Sequence, residues 1–370
     1  MVKKGKAAVL VSKEKMEIRE YALPKIGKDD ALLKLEACGM CGTDLDYYYG
    51  NKKPGPSEHK DFQYPFIPGH EPIGTIEEIG AEATKRWGVK AGDRVAVQYY
   101  TCGVCKACAE GRQMSCESPI AGIGKAGVHL SPALWGGYAE YMYIPPRAHV
   151  FPVSKSLPAK VAGLFNPFAG AFAWTVERSG LKPGQSVAIL GPGQRGLASV
   201  VAARESGASF IAVVGRGRNP YKLQLARELG ADLVVNLEQE DPVAAVKKAT
   251  RGAGVDIAVD ITPAPESFDQ AVSMVKRGGT VVEAGLKRGK TIRDWCPDPI
   301  QHKNLSVLGA YGVSTTAVRS AIKLVESGKY PIEKLVSHTF PLAKTEEALQ
   351  TLAGKFPERH AMNVVLLPGA

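Results

Sequence analysis

Cys102, Cys105, Cys108 and Cys116 follow one another as C-x2-C-x2-C-x7-C, four of the seven cysteines in a chain of 370 residues. That spacing lets one loop wrap four thiolates around a tetrahedral zinc, leaving no position for water or substrate. On coordination alone the set reads as structural; a [4Fe–4S] cluster and disulfides are the competing readings. A second set is more dispersed. "ACGMCGTDLD" carries Cys38, Cys41, Thr43, Asp44 and Asp46, and "PGHEPIG" carries His70 and Glu71. A thiolate, an imidazole and a carboxylate fall short of four strong ligands, which is what an open catalytic zinc requires. Spacing alone does not bring the two stretches together, and a histidine in a Gly/Pro turn is equally well read as a satisfied buried polar group.

The third constellation is "ILGPGQRG", with Gly191, Gly193 and Gly196 directly after an apolar run. Glycines so placed allow a tight turn and let backbone N–H groups approach a pyrophosphate at the positive end of a helix, with Gln194 and Arg195 in its first turn. A cation there opposes the helix dipole, so either a nearby anion accounts for Arg195 or it is simply solvated. The following strand should end in Asp or Glu, holding a ribose 2′-hydroxyl. Gly215 stands there instead, with Arg216 and Arg218 beside it. Loss of the carboxylate and gain of guanidinium groups favour NADP(H) over NAD(H). An Asp at position 215 is expected to shift the preference to NAD.

These groups must be held by two kinds of scaffold. Up to about residue 150 the chain shows short β-type runs ("KAAVLV", "DALLKLEACG", "DRVAVQYY", "YAEYMYI") punctuated by Gly and Pro, a compact β-domain pattern. After "LKPGQ" strands and helices alternate. "SVAIL" precedes a helix over about 196–206, and "FIAVVG" precedes one opened by Asn219 and Pro220. "DLVVNL" is followed by a helix in "DPVAAVKKAT", and "VDIAVDI" by one in "ESFDQAVSMVKRG" before "GTVVEAGL". Near-continuous apolar strands joined by helices predict a parallel sheet covered on both faces. Helices in "TTAVRSAIKLVESG" and "KTEEALQTLAG" and a last strand "NVVLL" then read as a return to the first domain. The expected division is a catalytic domain over 1–166 with a cysteine lobe at about 100–117, a dinucleotide domain over 167–308, and a return over 309–370.

Composition narrows the function. Hydrophobic residues make up 45% and charged residues 23%, with no apolar run long enough to span a bilayer and no signal-peptide pattern. A cytoplasmic protein without a membrane partner is expected. The net charge of +10 comes from scattered lysines and arginines, without the basic blocks and interleaved aromatics of a nucleic-acid binder, so a small anionic ligand such as a nucleotide fits better.

Taken together, "CGMCGTD", "PGHEPIGTIEEIG", "GDRVAV", the cysteine lobe, "GGYAEY", "ILGPGQRGL", "GGTVVEAGL" and "KNLSVLGAYG" resemble the zinc-containing medium-chain dehydrogenases/reductases, the superfamily of alcohol, polyol and threonine dehydrogenases. The resemblance covers nearly the whole chain. It implies an α/β protein, a GroES-like β-barrel catalytic domain plus a Rossmann doubly wound parallel sheet, assembled as a homodimer or homotetramer. It implies catalytic zinc ligands at Cys41 and His70, an intermittent carboxylate ligand at Glu71 and a proton-relaying hydroxyl at Thr43. Cys38 matches a position that often is Cys without binding metal, and Asp44 one that orients His70. Two positions depart from the family: the remaining ligand position holds Asn166, a poor zinc ligand, and Asp46 replaces the histidine that passes the proton to solvent. The implied activity is hydride transfer between a nicotinamide cofactor and an alcohol, a polyol or the matching carbonyl. Reduction of an activated double bond with a weakened zinc, or non-catalytic nucleotide binding on the same fold, are the alternatives.

Overall fold

The computed structural model describes residues 3–51, 64–102, 104–110, 115–116, 122–292 and 295–369. Its first seven strands are β1 (Lys4–Ser12), β2 (Lys15–Ala22), β3 (Ala31–Met40), β4 (Pro72–Ile79), β5 (Arg94–Tyr100), β6 (Tyr141–Ile144) and β7 (Ala148–Pro152). Six more alternate with helices: β8 (Ser186–Leu190), β9 (Phe210–Gly215), β10 (Leu233–Asn236), β11 (Val255–Asp260), β12 (Val275–Glu283) and β13 (Ser306–Gly309). β14 (Val336–Pro341) and β15 (Asn363–Leu367) close the chain.

Two compact units result, Met1–Asn166 with Leu335–Ala370, and Pro167–Lys334. The chain therefore returns to the first unit at Leu335 rather than at 309. The helix Thr315–Ser327 stays with the second unit because its neighbours anchor it there: Trp174 Nε1 donates to Gly312 O at 2.7 Å, and Ser314 Oγ to Glu177 Oε2 at 2.6 Å.

In the first unit β3 is the hub. It pairs antiparallel with β4, β6 and β15, within a sheet ordered β14-β15-β3-β4-β5-β7. Its residues are buried on almost every position, including Leu33 and Met40 at 0% exposure, so nothing in its pattern is the simple alternation of a half-wet strand. The β3–β4 register sets Cys38 opposite Pro72, which brings the residue after β3 beside those that lead into β4. That pairing is what joins "CGMCGTD" to "PGHEP".

In the second unit the order is β10-β9-β8-β11-β12-β13, every neighbouring pair parallel. Val187, Ala188, Ile189 and Leu190 of β8 are at most 1% exposed, as expected of a central strand covered by helices on both faces. The helix after β8 is Gln194–Glu205, starting two residues before the expected one because Gly193, with extended backbone, serves as its N-cap. The helix Glu266–Met274 stops earlier than its sequence suggests: Val275 turns to extended backbone and "VKRG" opens β12. A π-helical segment, Phe172–Arg178, continues the helix Phe165–Ala171, and no periodicity in the sequence announces it. No described helix is long and apolar enough to cross a membrane.

Candidate metal centres and dinucleotide loop

Cys41 is the first residue after β3 and the N-cap of the helix Gly42–Tyr48. Its Sγ accepts from Thr43 N at 3.4 Å, and its own N–H donates to Asp44 Oδ2 at 2.9 Å, a reciprocal cap that fixes the sulfur's direction. His70 follows Gly69, whose φ of +92° makes the turn into β4, and Glu71 immediately precedes β4. His70 Nε2 lies 3.2 Å from Cys41 Sγ and 3.9 Å from Glu71 Oε1. One ligand atom each from Cys41, His70 and Glu71 fall within 4.8 Å of one another. Those separations suit donors held about 2.0–2.3 Å from a shared zinc. Glu71 is wholly buried, and Gly39 makes its place: a Cβ on Gly39 would run into Oε2. A carboxylate taken out of water beside a sulfur and an imidazole requires a cation, so the donor set fits zinc.

Asp44 supports the histidine from behind, its Oδ1 3.3 Å from His70 Nδ1. Burial acts to lower the imidazole's affinity for protons, but the Asp44 carboxylate and then Cys41 outweigh it and raise His70 well above the ordinary range. Burial likewise acts to raise Asp44, and His70 more than offsets it, so the carboxyl sits below its usual value. A carboxylate–imidazole pair whose far nitrogen faces a metal site fixes both tautomer and ring orientation.

Of the other expected residues, Thr43 is half-buried in the same first turn, and Asp46 is buried one turn further along the helix. Asn166 is buried, 5% exposed, in the helix Phe165–Ala171. Cys38 is packed in an apolar setting: its Sγ lies 3.6 Å from Gly39 O, Gly137 leaves it room, and burial pushes its thiol up.

The four-cysteine lobe is local. Cys102 N donates to Cys116 Sγ at 3.3 Å, Cys105 N to Cys102 Sγ at 3.2 Å, and Cys102 and Cys108 sulfurs lie 3.9 Å apart. All four sulfurs fall within 4.8 Å of one another, and none of these cysteines is in a disulfide. N–H groups of Val104 and Cys105 aimed at Cys102 bring its thiol down to about 6, toward the thiolate a metal needs.

At the dinucleotide loop the three glycines do different work. Gly191 has φ +105°, Gly193 faces open space, and a Cβ on Gly196 would strike Gly191 O. Turn, ligand approach and helix–strand contact are thus divided among them as the fingerprint requires. Arg195 has a reason the sequence did not supply: its guanidinium stacks 4.8 Å from the Trp174 ring centroid, over Gly170, which has no side chain to obstruct it. Gly215 does end β9, but its Cβ position is filled: the Pro192 ring would be struck, with Leu223 Cδ2 at 3.1 Å. Packing therefore offers a second account of glycine there, and an Asp at 215 would need the Pro192 ring to shift. Arg216 and Arg218 are exposed, 3.5 Å from Glu266 and 3.7 Å from Glu238.

A further set went unread in the sequence: Asp260 and Glu283, the last residues of β11 and β12, with Lys287 between them. Lys287 Nζ lies 2.7 Å from Asp260 Oδ2 and 2.9 Å from Glu283 Oε1.

Known proteins resemble this chain over nearly its whole length. Residues 27–155 match the alcohol dehydrogenase GroES-like domain and residues 196–327 the zinc-binding dehydrogenase domain. A Mycobacterium tuberculosis protein described as a probable alcohol dehydrogenase is 42% identical over 98% of each chain. An erythritol/L-threitol dehydrogenase of Mycolicibacterium smegmatis is 30% identical over 99% of this chain and 98% of its own. Among solved structures, a protein from Sinorhizobium meliloti described as a zinc-binding dehydrogenase, bound to NADP, superposes with a TM-score of 0.85 at 29% identity. That match covers 99% of this chain and all of the other.

Proposed function

The chain belongs to the zinc-containing medium-chain dehydrogenases/reductases, and from that premise we propose that it oxidises an alcohol or polyol, or reduces the matching carbonyl, with NADP(H) preferred. The observation that carries this reading is the Cys41–His70–Glu71 group with Asp44 on the far nitrogen of His70. Bound there, zinc supplies Lewis acidity to a substrate oxygen, while nicotinamide supplies or accepts the hydride. Cys41, His70 and Glu71 would hold the metal, and Asp44 would keep the His70 ring turned to it. Thr43 takes the hydroxyl proton, and buried Asp46 hands it on toward solvent; with an ordinary pKa near 3.9 an aspartate is a weaker base than the histidine it replaces. The four cysteines of the lobe would hold a second, structural zinc.

The NADP preference is supported by Arg216 and Arg218: their carboxylate partners are exposed and distant enough to be given up to a phosphate at little cost. The NADP-bound relative adds weight. The test is a spectrophotometric screen of alcohols, polyols, amino alcohols and aldehydes with both cofactors, on protein of measured zinc content. Two zincs per chain and turnover favouring NADP(H) are expected, with R216A/R218A losing about tenfold in that preference. One zinc per chain with turnover only of an activated double bond would overturn the alcohol assignment; cofactor binding without any turnover would overturn catalysis.

A further inference from the structure

Asp260 and Glu283 are partners in the parallel β11–β12 register, so both close their strands at the same edge of the sheet. In a doubly wound sheet the ligand lies outside the carboxyl ends of the strands, and β11, β12 and β13 make the second mononucleotide half. Lys287 Nζ donates to Asp260 Oδ2 at 2.7 Å, Thr262 O at 2.9 Å and Ser267 Oγ at 3.3 Å, with Glu283 Oε1 at 2.9 Å. Thr262 is held on every polar atom: its N–H donates to Asp260 Oδ1 at 2.9 Å, its Oγ1 lies 2.7 Å from Ser267 Oγ, and its carbonyl takes Lys287. Its methyl in turn backs the fingerprint loop, for a Cβ on Gly191 would come within 2.8 Å of Thr262 Cγ2. Gly285 leaves room for Thr262 O on the other side. The linkage runs from Lys287 through Thr262 to Gly191.

We propose that Lys287, Asp260 and Glu283 form a positioning cluster of the dinucleotide site, in which Lys287 sets the Gly191 loop and Glu283 sets the balance between oxidised and reduced cofactor. This rests on the dinucleotide reading above. The cluster has two carboxylates for one ammonium. Burial first, then the neighbouring Asp260 charge, raises Glu283 to about 7, with Lys287 offsetting only part of the rise. The charged groups facing it are Asp260 from β11 and Lys287 from the segment after β12; the Ser267 hydroxyl of the helix Glu266–Met274 donates to Asp260. β13 brings no charge of its own beside Glu283, only Gly309, whose carbonyl accepts from Arg178 Nε at 2.8 Å. With Glu283 protonated the cluster is neutral; with it ionised the cluster is −1. An oxidised nicotinamide ring is cationic and a reduced one neutral, so ionisation of Glu283 favours the oxidised form. Titration of a 2′-phosphate is common to both forms and cancels in their ratio.

The experiment measures Kd for NADP+ and for NADPH on the holoenzyme at pH 6 and pH 8, for the wild type, E283Q and K287M, with zinc content as a control. In the wild type the ratio of the NADPH Kd to the NADP+ Kd rises about threefold between those pH values, the scale of one screened charge acting beyond contact distance. E283Q flattens that ratio. K287M weakens both forms by about tenfold at unchanged zinc content. Wild-type slope retained in E283Q overturns the proposal, and E283Q decides it alone if K287M does not fold. Wild-type protein that binds neither cofactor overturns the dinucleotide reading, and the proposal with it.

Discussion

The four-cysteine lobe and the Cys41–His70–Glu71 group each gather their donors within 4.8 Å, yet they are assembled in opposite ways. The lobe is made by one loop, Cys102 buried and its other three cysteines half-buried, with sulfurs steered by N–H groups of that same loop. The other group is made by the pairing of two strands, its donors unlike one another, its histidine braced by a buried aspartate, and its carboxylate seated where Gly39 has no side chain. Four like donors close a coordination sphere, while three unlike donors leave it open. The first arrangement suits holding a fold together, the second suits chemistry.

The sharpest break between the two is expected from Cys41→Ser. It should lower kcat/KM by about 10³-fold or more, since several kcal/mol of charge stabilisation go with the metal, while the melting temperature stays close to wild type. Turnover at the wild-type level would refute the division of roles. Cys105→Ser should do the reverse, costing about 3 kcal/mol of stability, or roughly 5–10 °C in Tm by calorimetry, with near-normal kcat in the molecules that remain folded. A large loss of kcat at unchanged Tm would show that the lobe belongs to the reaction. Asp44→Asn is the finest cut: zinc should leave the Cys41 site for a chelator with about 10–100-fold weaker affinity, while the lobe zinc keeps its own. Equal retention at both sites would mean that Asp44 serves only as a helix cap.

How far each site was legible follows from the same contrast. The lobe could be read because its four ligands share one stretch and one side-chain type. Cys41, His70 and Glu71 could be named as donors, but their meeting depends on the β3–β4 register, which no local pattern states. The Trp174 contact of Arg195 was hidden for a related reason: Trp174 rides on a π-helical turn that gives no periodic signal. The Asp260–Glu283–Lys287 cluster was illegible, since only parallel strand pairing sets Asp260 beside Glu283. The alternation of strands and helices made the second unit plain, whereas the return at Leu335 was not. An amphipathic helix such as Thr315–Ser327 shows that it has an apolar face and says nothing of which core will take it.

The Pro192 ring that fills the space beside Gly215 has a consequence for how this enzyme could change cofactor. A side chain at the end of β9 requires the proline ring to move, and a smaller residue at 192 alone brings no carboxylate. The two positions are coupled: the full change of preference is expected only when both are altered. A designer seeking to place an acidic residue there would do best to change both residues together.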